Sequence, residues 1–170
     1  MNPALLDPER QFLGCLMQLP TTPARRVLSG MRPTDLADPT ASFVLYLAVR
    51  AVAHDQPPSP AVLFEHAHEI AERPRATRLH EVGLWIANTY QDAPIAPEQH
   101  VAYLKAVVLK AAWRRAVAEH AHRLLQAVAE SPTDELHELA DDTATVDDLW
   151  SRYEVARGHG TVAARLEVAA

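Results

Sequence analysis

The chain has 170 residues, of which 48% are hydrophobic and 22% charged, with a formal net charge of −6 and a pI near 5.8. That length and balance predict one globular domain that needs no metal or disulfide staple. They exclude disorder of the whole chain and a global basic field for nucleic acid.

Helix starts recur with one grammar, a polar cap followed by proline at the first helical position. Asp7-Pro8 opens "ERQFLGCLMQ", where Phe12, Leu13, Leu16 and Met17 have the spacing of one buried face. Thr22-Pro23 opens a short helix that ends at Gly30. Asp38-Pro39 opens "TASFVLYLAVRAVAHD", apolar almost all round and therefore the expected central helix of a bundle. Ser59-Pro60 starts a helix stopped by Pro74, and another is expected from Thr77 to about Tyr90. The stretch from Asp92 to Pro97 cannot be helix interior, because its prolines remove backbone donors, and it marks a boundary. From Pro97 to about Ala129 runs the longest helical pattern, roughly 45–50 Å at 1.5 Å per residue. Ser131-Pro132 makes a capped turn into a second helix through Leu136, Leu139, Val146, Leu149, Trp150 and Tyr153, with a weak point between Ala140 and Val146. Regular structure is expected to end after Arg157, at Gly158 and Gly160. The result is an all-α fold, a small helical bundle followed by a long antiparallel helical hairpin. The expected parts are a head at 1–92, a hairpin at 97–157 and a mobile tail at 158–170.

Signatures of chemistry are absent from the sequence. No G-x-x-x-x-G-K-[ST] occurs, and Gly158-His159-Gly160-Thr161 has neither a lysine nor a preceding strand. The pairs His66/His68 and His120/His122 are two residues apart, which on a helix places them about 200° apart and unable to chelate one ion. Cys15 sits in an apolar stretch without a pairing partner and reads as a core residue in a reducing compartment. No nucleophile elbow or H-E-x-x-H is present. The expectation is a protein that is not an enzyme and has no cofactor and no metal. With no signal pattern and no apolar run of membrane length, it is expected in the cytoplasm.

The last two helical segments carry opposite charge. Lys105, Lys110, Arg114, Arg115 and Arg123 stand on the long one; Asp134, Glu135, Glu138, Asp141, Asp142, Asp147 and Asp148 stand on the final one. These are either two solvated faces or charges that fix the orientation of the hairpin or of a second copy. The basic set is also the candidate nucleic-acid contact, with binding expected to be weak or indirect given the acidic whole.

The order of segments resembles the N-terminal domain of DnaB-type replicative helicases. "ERQFLGCLMQLP" looks like that family's first helix, E-x-x-x-L-G-x-L-L. "MRPTDLADPTASFVLYLAVRAVAHDQPPSPAVL" resembles its passage from "L-x-P-x-D-F-x-D-P" into a core helix, with Asp35, Leu36, Asp38 and Pro39 matching and Leu36 standing where phenylalanine is usual. Gly83, Pro94, Tyr103, Val107 and Arg114 match a later pattern, and the resemblance covers roughly residues 7–155. It implies a helical head before a hairpin that pairs between subunits in a collar docking primase and loader proteins. The family's ATPase motor is not in these 170 residues, so helicase activity does not carry over. What the resemblance carries over is self-association, as a homodimer or higher oligomer, through Trp113, Val117, Leu124, Val128, Leu149, Trp150 and Tyr153. The expected partner is primase, a loader or the replicative helicase, with the chain acting as accessory or inhibitor.

Overall fold

The computed structural model describes residues 7–71 and 79–160, and the regular structure in them is entirely helical. Helices α1 (Pro8–Leu16), α2 (Thr21–Leu28), α3 (Pro39–Ala53), α4 (Pro60–Ala71), α5 (Leu79–Gln91), α6 (Pro97–Glu130), α7 (Thr133–Asp141) and α8 (Ala144–Gly160) follow in order, with a 3-10 turn at Pro33–Asp35 before α3. The expected stop at Pro74, the start at Thr77 and most of the expected tail lie outside the described residues.

The Asp-Pro starts are used as such. Asp7 accepts the N–H of Glu9 at 3.0 Å, and Asp38 accepts that of Ala41 at 2.8 Å. Each satisfies a first-turn donor that has no carbonyl partner within its helix. Three boundaries differ from the sequence reading. Helix α2 begins at Thr21 behind Pro20, which makes no side-chain cap; Pro23 falls inside the first turn, where its missing N–H is not needed. Helix α7 begins behind Pro132 in the same uncapped way. Helix α8 runs on through Gly158 to Gly160, since a glycine weakens a helix without forbidding it. The weak point after Ala140 is a true break, with α7 ending at Asp141 and α8 starting at Ala144.

The chain forms two compact units, Met1–Val108 and Leu109–Ala170. The division falls inside α6, not in the proline-rich stretch at 92–97. Val101, Leu104 and Val108 are buried, and Lys105 Nζ donates to the carbonyl of Ser29 at the end of α2. The first turns of α6 therefore belong to the first unit. The turn before α6 holds Ala96 in the left-handed region, φ 61°, between Pro94 and Pro97.

In the first unit α3 is the hub, packing on α1, α2, the 3-10 turn, α4 and α5. Its Val44, Leu45 and Leu47 are fully buried, as are Phe12, Leu13, Leu16, Leu63 and Ile86 around it. Each such side chain contributes roughly 1.5–3 kcal/mol of transfer free energy. Two polar devices fix the entry into this hub. Buried Glu9 on α1 accepts the N–H of Ala37 at 2.9 and 3.0 Å and that of Asp38 at 3.3 Å. Buried Asp35 accepts the N–H of Arg32 at 2.6 Å, closing the 3-10 turn. At the other end of α3, Arg25 donates to the Val52 carbonyl at 3.0 Å and pairs with Asp55, whose φ of 59° turns the chain toward α4.

Cys15 is fully buried, and burial pushes its thiol up from 9.0 to about 11. The unfolded thiol therefore ionises first as pH rises. The neutral thiol's contribution to stability is fully present below pH 9 and is lost as pH climbs from 9 toward 11. Urea unfolding across that range is expected to show a decline of about 2 kcal/mol that Cys15→Ala removes. Identical slopes for the two proteins would contradict the burial of the thiol.

Candidate interaction surface

The second unit is built from α6 beyond Val108, α7 and α8. Two contacts set the direction of α8. The Trp113 ring lies 4.9 Å from that of Trp150, and Arg123 lies 4.0 Å from Asp142. Residue numbers rise along α6 as they fall along α8, so the pairing is antiparallel. Trp150 also meets Tyr153, with ring centroids 5.4 Å apart, giving a three-ring cluster. Leu149 and Ala156 on α8 and Ala127 on α6 are buried. Charge contributes little to this pairing: Arg123 and Asp142 are both more than half exposed at the outer limit of an ion pair. Arg152 and Asp148, at 3.0 Å, pair within α8 instead.

The expected interface residues divide into two groups. Leu149 is buried inside the unit, and Trp113, Leu124 and Tyr153 are half-buried, so this set chiefly closes the hairpin. Val117, Val128 and Trp150 are exposed, Val128 at 68%. Leu125, 73% exposed, was not among the expected residues. The signal for it is present in the spacing. Val117, Ala121, Leu125 and Val128 recur at four, four and three residues, which defines a second apolar face on α6 beside the one holding Trp113, Leu124 and Ala127. Ala118 and Ala121 on this second face are exposed as well. Val117 and Val128 of this second face are among the expected residues, while Ala121 and Leu125 are not, because a helix apolar on two adjoining faces shows no single stripe.

The basic residues do not form a line along α6. Counted from Lys105, Lys110 is turned by about 140°, Arg115 by about −80°, and only Arg123 returns to the starting direction. Lys105 is engaged with Ser29 and Arg123 faces Asp142, leaving Lys110 and Arg114 as exposed neighbours at i and i+4. This dispersal counts against a continuous phosphate-tracking groove.

Several positions that carried the resemblance serve the first unit's fold. Glu9 of the first helix bonds the amides just before Pro39; Asp35 and Leu36 are buried, and Asp38 caps α3. Gly83 admits the Phe64 ring, which would stand 2.9 Å from a Cβ there; both line a shallow apolar groove of about 280 Å³ with Pro60, His80, Leu84, Ile86 and Ala87. His66 is buried and used structurally, its Nε2 at 2.8 Å from Gln56 Oε1 and its Nδ1 at 3.3 Å from Glu69. Among the described residues no group of three or more His, Cys, Asp or Glu side chains has the arrangement to hold a metal ion, and no helix is long and apolar enough to cross a membrane. Comparisons of the chain with protein families, with curated proteins and with solved structures found no match.

Proposed function

We propose that this chain is a non-catalytic interaction module of the helicase-collar type, which self-associates through its second unit and docks a DNA-replication protein. The observation that carries this reading is the uncovered apolar surface of that unit. Val117, Leu125, Val128, Trp150 and Val155 are exposed on a structure of three helical segments, and large apolar groups that adjoin one another in water mark an interaction surface. The resemblance in helix order and in the residues of α1 and α3 supplies the class of partner: primase, a loader or the replicative helicase itself.

Light scattering on the purified protein between about 1 and 100 µM tests the self-association, a range that brackets dimers of micromolar affinity. A mass twice that of the 18.8 kDa chain or higher is expected, whereas a strict monomer at tens of micromolar overturns the reading. Co-elution with purified helicase, loader or primase then identifies the docked protein, and failure with all three removes the replication assignment.

A further inference from the structure

We infer that His54, Gln56 and His66 form a binding site for a divalent transition-metal ion of the zinc, nickel or copper class. The site lies wholly in the first unit, where α3 ends and α4 follows, apart from the apolar surface of the second unit. Along α4 the spacing of His66 and His68 keeps those two apart, and the second histidine comes from the end of α3 instead. The chain turns at Asp55, φ 59°, and the rings of His54 and His66 stand 5.8 Å apart. Two imidazoles on one ion, with metal–nitrogen bonds of about 2.0–2.1 Å, have ring centres about 5–6.5 Å apart. His66 is buried while His54 and Gln56 are exposed, so the site is open to solvent on one side.

The tie on one nitrogen of each ring decides which nitrogen is left to bind. His54 Nδ1 lies 2.8 Å from the carbonyl oxygen of Arg50. A carbonyl only accepts, so Nδ1 carries the proton and Nε2 keeps its lone pair. His66 Nδ1 faces the Glu69 carboxylate at 3.3 Å, and that carboxylate is held by the Arg50 guanidinium at 2.8 Å. A proton on His66 Nδ1 leaves the Nε2 lone pair directed at Gln56 Oε1, 2.8 Å away. Two lone pairs so placed are held together by a cation, and donors at about 90° on one metal stand about 3 Å apart. Metal-binding histidines regularly donate their other N–H to a carbonyl or a carboxylate, and both rings have such a partner here. Among the described residues no three His, Cys, Asp or Glu side chains are arranged to hold an ion, so the third protein donor is the amide oxygen of Gln56, and water completes the shell. Two imidazole nitrogens with one neutral oxygen suit zinc, nickel or copper; magnesium and calcium take oxygen ligands. A bound ion ties the end of α3 to α4 through side chains on both and on the connection between them.

Calorimetric titration of the untagged full chain with nickel chloride and with zinc chloride tests this. One ion per chain is expected, magnesium chloride should not displace it, and saturation should raise the melting temperature by about 5 °C or more. His54→Ala, at an exposed position, should leave the metal-free melting point in place. It should weaken binding by more than the roughly 10–100-fold that loss of an outer partner costs, while Glu69→Gln should weaken it within that range. His122→Ala, in the second unit, should change nothing. Copper(II) on the parent protein should show two imidazole nitrogens in its paramagnetic resonance spectrum, and one after His54→Ala. No binding at millimolar nickel and zinc overturns the inference and leaves His66 and Gln56 joined by an ordinary hydrogen bond only. Binding of undiminished strength in His54→Ala places the ion elsewhere and overturns it as well. Neither result bears on self-association or docking, which the scattering and co-elution measurements decide.

Discussion

Replacing Gly14 with alanine is expected to lower the stability of the first unit by about 2 kcal/mol, and with valine by about 3 kcal/mol or more, in urea unfolding. The direction is opposite to the usual rule, since alanine in place of a helical glycine gains about 1 kcal/mol of propensity. Here the added methyl has nowhere to go. A Cβ on Gly14 would stand 2.6 Å from the carbonyl oxygen of Thr89 and 2.9 Å from Cβ of Ala93. The first of these is backbone of α5 and cannot rotate away, so α1 and α5 must separate, and Phe12, Leu13 and Ile86 lose packing with them. A rise in the unfolding midpoint would mean that the two helices are not in close approach.

Glu9→Ala is expected to cost a similar amount, about 3 kcal/mol, for a different reason. The carboxylate collects the N–H groups of Ala37 and Asp38 from 28 and 29 residues away, in a setting where Glu9 is 8% exposed. Removing it strands two donors at the entry of the hub helix. Glu9→Gln keeps one oxygen in place and should recover part of the loss, roughly 1 kcal/mol. If both variants unfold with the parent's midpoint, water satisfies those amides and the bridge is not a structural tie. Loss of Asp38's cap by Asp38→Ala should be smaller, about 1 kcal/mol, because that bond is local to one turn.

The contrast between these residues shows what can be read from a chain. Asp7-Pro8 and Asp38-Pro39 announce their helices because capping is local chemistry, complete within four residues. The hub role of α3 was legible for a similar reason: a segment apolar on nearly every side must be surrounded. Glu9 and Gly14 stand in the same helix and gave no such signal, since their partners lie on α3's entry and on α5, and only the packed structure brings these together. The division inside α6 was hidden for a related reason. Prolines at 94 and 97 signal a break in the helix, but a break in the helix and a division of the core are different things. On the candidate surface, Trp113, Leu149 and Trp150 stand out by their size, yet burial assigns the first two to holding the hairpin; of the second face, Val117 and Val128 are legible in the sequence, while Ala121 and Leu125 are hidden among neighbouring apolar residues.

The placement of that division has a consequence for how the chain can be cut and joined. Gene fusions, insertions and limited proteolysis favour exposed connections where backbone can be opened at little cost. The obvious opening here, the proline-bearing turn after α5, is a poor place to separate the parts. A fragment ending at Asp92 would discard Val101, Leu104 and Val108, three apolar side chains that the first unit keeps out of water. A fragment beginning at Pro97 would carry the same three into solvent. A single helix contributes side chains to both cores, so a cut or a joint placed at the turn breaks one of them.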